Sequence, residues 1–211
     1  MRDLTHPNLA LYLPLWKRDG ASFPSEDAHG ILCTVTGASL GALDGNRGRL
    51  FGASDDKIDI STDPIGILAA TCVATISLRG WGAAGSGRIL DNGQFRFFVY
   101  QTNTSLGFDS NGSNISTCAT GSISLNRTYR VVITRTADGT GNFYINGTLN
   151  GLSNRTTGTP AAGTAALTLG NNAIAARNFD GVISGLAVYT NLVWSALDVV
   201  VDYQEYRKNR R

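Results

Sequence analysis

The residues from Val182 to Tyr189 constrain this chain most. They read V-I-S-G-L-A-V-Y, eight positions without a charge. Successive side chains of a β-strand point to opposite faces. Alternation separates Val182, Ser184, Leu186 and Val188 from Ile183, Gly185, Ala187 and Tyr189. A strand with one face in water shows polar residues at every second position, and one buried on both faces is apolar throughout. This segment is of the second kind, so something must cover each of its faces. Upstream, Leu167 and Leu169 alternate with Thr168 as a short strand. Gly170, Asn171 and Asn172 break that run, and Phe179 precedes an Asp180-Gly181 turn.

The rest of the chain repeats the same grammar. Leu9, Leu11, Leu13 and Leu15 alternate with Ala10, Tyr12, Pro14 and Trp16, and Pro14 places that strand at an edge or near its end. Strands follow at Ile31–Val35, at Thr71–Leu78 and at Gln94–Tyr100, where Phe95, Phe97 and Val99 share a face. Tyr129, Val131 and Ile133 line the next strand, and Asn146-Gly147 is the strongest hairpin signal in the sequence. About a dozen short strands at this spacing predict an all-β sandwich or jelly roll. A chain of 211 residues suits one such core. Ser195, with Asp198 three residues on, predicts a single short C-terminal helix running to about Tyr206. The expected organisation is an N-terminal arm at 1–8, a sandwich at 9–194, and the helix with a basic tail at 195–211.

Several segments together resemble laminin-G-like, concanavalin A-like jelly-roll domains. They are Tyr12-Leu13-Pro14-Leu15, Phe51-Gly52 followed by Asp55, Asp56 and Asp59, the hairpin Phe143-Tyr144-Ile145-Asn146-Gly147, and the closing Phe179-Asp180-Gly181 strand that ends on Tyr189. The resemblance spans roughly residues 9 to 205. It implies a lectin-glucanase sandwich. It also implies calcium as the one ion to consider, held by Asp55, Asp56 and Asp59, because hard oxygen ligands suit it. No other cofactor is expected.

Hydrolysis is disfavoured on chemical grounds. Glycoside cleavage needs two carboxylates about 5 Å or 6.5–9.5 Å apart across one bond. Enzymes on this sandwich resemble one another in placing two Glu on one strand. The chain has only two Glu, Glu26 in a loop and Glu205 in the helix. Its Asp residues sit mostly at turns, as in Asp44-Gly45 and Asp138-Gly139. Neither His6 nor His29 has a nucleophile in a recognised setting. Gly80-Trp81-Gly82-Ala83-Ala84-Gly85 has the letters of a dinucleotide loop, but no helix follows to meet a pyrophosphate. Trp81 there is a candidate sugar platform, weighed against simple packing. The cysteines, Cys33, Cys72 and Cys118, lack metal-ligand spacing and are expected to be reduced and buried.

The function expected is therefore binding or assembly without catalysis. His6 to Leu15, H-P-N-L-A-L-Y-L-P-L, resembles the opening of laminin-G-like proteins of tailed phages. That resemblance implies a virion protein, either a capsid decoration or a tail or fibre component. Its partners would be other virion proteins or its own copies as a homo-oligomer. A carbohydrate-binding lectin acting outside the cell, and a degenerate glucanase, are the alternatives. The N-terminus has no apolar signal core and no stretch is long enough for a membrane span. A net charge of +2 gives no reason to expect nucleic acid. Cover for Gly185, Ala187 and Tyr189 has two candidate sources. One is another subunit or capsid surface, and the other is the chain's own helix through Leu197, Val200 or Val201.

Overall fold

A computed structural model describes residues 4–152 and 154–209. The arm residues Met1, Arg2 and Asp3, and Arg210 and Arg211 of the basic tail, lie outside the described residues. Strands are numbered in chain order and divide between two sheets. The first sheet takes β1 (Leu9–Leu13), β4 (Ser39–Leu43), β5 (Asn46–Phe51), β7 (Ala70–Gly80), β12 (Thr128–Arg135), β13 (Thr140–Ile145), β14 (Thr148–Leu149), β15 (Arg155–Thr156) and β17 (Asp180–Thr190). The second takes β2 (Ser22–Pro24), β3 (Leu32–Thr36), β6 (Lys57–Ile60), β8 (Arg88–Asp91), β9 (Arg96–Tyr100), β10 (Ser105–Asp109), β11 (Ser116–Thr117) and β16 (Leu167–Leu169). The helix α1 covers Ala196–Asn209.

All the strand pairs are antiparallel. The first sheet runs β14-β13-β12-β7-β17-β5-β4, and the second runs β11-β10-β9-β8-β16-β6-β3-β2. The uncharged segment Val182–Tyr189 lies in β17, which has β7 along one edge and β5 then β1 along the other. Phe51, Phe97, Val99, Phe108, Val131, Ile133, Leu167, Leu169 and Phe179 fill the space between the sheets. The expected all-β concanavalin A-like sandwich with one short C-terminal helix is the fold observed.

Two β-bulges alter the expected side-chain faces. The β17–β7 register shifts between Ile183 and Gly185, so Ile183 joins Leu186 and Val188 in the core. The β1–β17 register shifts between Leu9 and Leu11, which turns Leu9 outward while Leu11, Leu13 and Leu15 stay in the core. An extra residue on one strand reverses the face of all that follows.

The outward face of β17 corrects the expected interface. Ala187 and Tyr189 are buried with Leu9, Val73, Val132, Tyr144 and Val199, and Trp194 packs on the same cluster. The Tyr189 and Trp194 rings lie 4.9 Å apart. Gly185 is half-buried and faces the Leu13 carbonyl of β1. The chain itself supplies the cover, because β1 pairs along Gly185's edge and Trp194 leads into α1. The residue of α1 that reaches this cluster is Val199, while Leu197, Val200 and Val201 are exposed. Arg130 fastens the helix, donating from Nε and Nη2 to the two carboxylate oxygens of Asp202 at 2.9 Å each.

The described part of the arm, residues 4–8, is tied down. His6 packs edge-on against Tyr189 at 5.6 Å, and Asn8 donates from Nδ2 to the Thr190 carbonyl at 2.9 Å. Cys33, Cys72 and Cys118 are free thiols, all buried. Burial pushes Cys33 and Cys72 up to about 12.

Candidate functional site

The outer face of the second sheet carries charge where the core face carries aromatic and aliphatic groups. Phe97, Val99, Leu106, Phe108, Leu90, Leu167, Leu169, Ile58 and Ile60 point inward. Alternation therefore turns Arg96, Phe98, Tyr100, Asp109, Asp91, Thr168, Lys57 and Asp59 outward. The register aligns many of them in a single transverse row. Asp109 pairs with Arg96, Arg96 with Asp91, Asp91 with Thr168, Thr168 with Asp59, Asp59 with Thr34, and Thr34 with Ser22.

Each carboxylate near the centre of this row does two jobs. Asp91 accepts the Gly93 N–H at 2.7 Å through one oxygen and Arg88 Nε at 2.7 Å through the other. Asp109 accepts the Asn111 and Gly112 N–H groups at 2.9 and 3.0 Å through one oxygen, and the other pairs with Arg96 Nη2. Turn geometry thus fixes the carboxylates, and the carboxylates fix the two guanidinium planes. Arg88 also donates to Ser86 Oγ at 2.7 Å and lies 4.6 Å over the Phe98 ring. Burial pushes its guanidinium below the usual value, and the neighbouring Asp91 opposes that shift. Phe98 meets Tyr100 edge to face at 6.0 Å. Arg96 Nε is buried without a hydrogen-bond partner among the described residues. At the far end Lys57 pairs with Asp59 at 2.9 Å, both partly open to water.

Such a face can hold hydroxyl groups. Arg88, Asp91, Phe98, Asp109 and Thr168 are buried, so the groups of this face that a ligand can meet are the guanidinium of Arg96 and the half-buried Tyr100. Asp59 and Asp91 flank Thr168, so two strand spacings separate them, about 9.5 Å, the upper end of the spacing for inverting hydrolysis. The Asp91 carboxylate is already committed to Arg88 and Gly93. Glu26, in the β2–β3 loop at the edge of this sheet, is bound by Lys17 and Arg18, and Glu205 in α1 by Lys208.

The residues singled out from sequence lie apart. Asp55 is exposed. Asp56 is buried and accepts the Gly52 and Ala53 N–H groups at 2.7 and 2.8 Å, so its carboxylate closes the turn into β6. Asp59 joins the outer row. Among the described residues no three His, Cys, Asp or Glu side chains are grouped to hold a metal ion. Trp81 is half-buried and packs against the core, because Gly82 and Gly87 lie close under the Asn178 carbonyl and fold the loop inward. It is not a free platform. Arg88, Asp91, Arg96, Asp109 and Thr168 were not singled out. Their signal was a charge or hydroxyl at alternate positions of otherwise apolar strands, visible as one set only once the register joins residues far apart in sequence.

Known structures share the architecture. The sialidase of Trypanosoma rangeli in complex with sialic acid matches 98% of this chain at 15% identity and a TM-score of 0.73. The chain spans only 34% of that protein. Domain 4 of AbnA, an extracellular arabinanase from Geobacillus stearothermophilus in complex with arabinotriose, matches 93% of this chain and 98% of its own at 16% identity and a TM-score of 0.66. Botulinum neurotoxin type C, described as entering cells through two ganglioside molecules, matches 94% of this chain and 51% of its own at 12% identity and a TM-score of 0.65. No curated protein matches by sequence. A laminin-G family model, described as the concanavalin A-like lectin/glucanases superfamily, matches residues 53–198, and the chain belongs to that superfamily.

Proposed function

We propose that the protein is a non-hydrolytic module that binds a glycan on the outer face of its second sheet. The observation that carries this reading is the partly open guanidinium of Arg96, held by Asp109, which is itself locked to turn N–H groups, with the half-buried Tyr100 on the same face. Its orientation is set on folding, so a ligand meets donors that lose little freedom on binding. Arabinotriose bound to domain 4 of AbnA, and the gangliosides named for the neurotoxin, support a sugar as the ligand. No metal or other cofactor is part of this reading.

The reading extends to where the module acts. His6 to Leu15 resemble phage proteins, and α1 leaves Leu197, Val200 and Val201 exposed, a surface suited to a neighbouring subunit. We place the protein in a tailed-phage particle on those two grounds. Mass spectrometry of purified particles tests that placement, and its absence from them removes it.

Binding is tested on an array of neutral and acidic glycans, with Arg96→Lys and Tyr100→Ala alongside the parent. Arg96→Lys keeps the charge beside Asp109 and loses the planar fork. It should weaken binding about tenfold, the worth of one charged hydrogen bond, with little change in melting temperature. Release of reducing sugar from any bound glycan, or undiminished binding by both variants, would overturn the reading.

A further inference from the structure

The strand at the end of a sheet carries open N–H and C=O groups that will pair with another strand. Proteins blunt such edges with short length, charge, proline, bulges or a covering segment. Most edges of this sandwich are blunted in these ways. β11, β14 and β15 have two residues each, and β2 has three and ends on Pro24. β1 is longer, but the segment at 25–27 covers it. Asp27 accepts the Tyr12 N–H at 2.8 Å, and Glu26 donates its N–H to the Tyr12 carbonyl at 2.9 Å. β4, the end strand of the first sheet, has none of these devices. It reads Ser39-Leu40-Gly41-Ala42-Leu43, without charge or proline, and its register with β5 runs without a shift.

The turn into β5 decides which groups of β4 stay open. Asp44 and Gly45 have φ of 51° and 70°, the backbone of a two-residue hairpin turn. Leu43 and Asn46 close that turn as a hydrogen-bonded pair. Such pairs recur at every second position, here Gly41 with Gly48 and Ser39 with Leu50. Leu40 and Ala42 therefore aim their N–H and C=O groups away from β5. No other segment among the described residues bonds to those groups. Leu40 is half-buried and Ala42 is exposed. The hairpin itself is tied down, because the Asp44 carboxylate accepts the Thr128 N–H at 2.7 Å. Its edge is thus set on folding and loses little freedom on pairing.

We propose that β4 is a pairing edge for a second copy of this chain, the two β4 strands running antiparallel about a two-fold axis at Gly41. Such an axis sets Leu40 against Ala42 of the second copy, and Ala42 against its Leu40. Each open N–H of one strand then meets an open C=O of the other. The self-complementarity is what selects a second copy, since one strand supplies both halves of the contact. The axis falls on a non-hydrogen-bonded pair, where Cα atoms approach to about 4.5 Å, and glycine occupies that place. No like charges meet across the join, because β4 carries none. The first sheets of the two copies would run on as one. This contact is separate from the exposed residues of α1 and from the glycan face of the second sheet.

The test is sedimentation equilibrium of the full protein, read beside amide hydrogen exchange. The parent should form a dimer. Ala42→Lys leaves the backbone unchanged and adds, at an exposed position, the charge with which natural edges are guarded. Ala42→Pro removes the open N–H from each copy. Either variant should weaken the dimer at least about tenfold, the worth of the two hydrogen bonds that Ala42→Pro removes. Should the proline variant unfold, the lysine variant carries the test. The amides of Leu40 and Ala42 should exchange slowly in the parent dimer, and that of Leu40 fast in Ala42→Lys. Those of Gly41 and Leu43, already bonded to β5, should not change. Leu197→Lys, on the exposed side of α1, should leave the dimer intact. The proposal is overturned if the parent is a monomer throughout, if Leu40 and Ala42 exchange fast in its dimer, or if Ala42→Lys dimerises as tightly as the parent.

Discussion

The first sheet hides its outer face under Trp194 and Val199, whereas the second leaves its outer face to arginines and aspartates. Both faces arise from the same alternation, yet they need different things. Val73, Val132, Ala187 and Tyr189 form an apolar surface that water cannot satisfy, so the C-terminal segment must lie on it. Asp91 and Asp109 are nearly closed to water as well, but turn N–H groups and arginine partners satisfy them. The difference is that the first face is closed by apolar packing and the second is satisfied by its own ion pairs.

An arginine placed on each face gives the largest contrast. Ala187→Arg puts a charge where the exposure is 0%. With no partner in reach it should destabilise by about 5 kcal/mol or more, comparable with the whole stability of many domains. Thr34→Arg, at an exposed position of β3, should stay within about 0.5 kcal/mol. Thermal melts of the two side by side measure this. An Ala187→Arg protein that melts near the parent would mean that the helix is not the lid described here.

A buried ion pair on the first face and a partly open one on the second should also differ. Arg130 and Asp202 are 8% and 12% exposed, and Arg130 also donates from Nη1 to Thr75 at 2.9 Å. Arg130→Ala removes two charged hydrogen bonds from a largely buried carboxylate and the clasp of α1, a loss of about 3 kcal/mol. Lys57 and Asp59 are 20% and 34% exposed, and Lys57→Ala should cost about 1 kcal/mol or less. Urea titrations decide the matter, and equal losses at both sites would mean that burial does not set the worth of these pairs.

The strands and turns were readable because their signals are local. Period-two patterns place Val131 and Ile133, or Phe97 and Val99, inward without knowledge of any partner. The bulges were not readable, because they depend on the neighbouring strand. Gly48 of β5 sits so close that a Cβ would lie 2.3 Å from the Ile183 carbonyl, and that contact falls at the β17 bulge. The helix misled for a related reason. Its apolar residues Leu197, Val200 and Val201 outnumber Val199, yet Trp194 and the Arg130–Asp202 clasp set the rotation, and Val199 faces in. The arginine row needed register more than pattern. Arg88, Asp91 and Arg96 are near in sequence, but Asp59 and Thr168 join them only through β16, paired to β6 on one side and β8 on the other.

The smallest effect concerns how the lid starts. Ser195 Oγ accepts the Asp198 N–H at 3.3 Å, while the Asp198 carboxylate accepts the Ser195 N–H at 2.8 Å. The two residues thus satisfy N–H groups that the first turn of a helix leaves open. Both lie exposed at the N-terminal end of α1, away from the clasp at Asp202. Ser195→Ala removes one of these bonds and leaves Val199 and Trp194 in place, so it should cost about 1 kcal/mol. Because Val199 and the mid-helix clasp at Asp202 also hold α1, the loss should show first as faster amide exchange at residues 196–199 and only weakly in the melting temperature. The outer face of the second sheet should not respond at all, and glycan binding there should be unchanged. If Ser195→Ala destabilised the protein as much as Arg130→Ala, the cap and not the buried clasp would be what holds the lid on the first sheet.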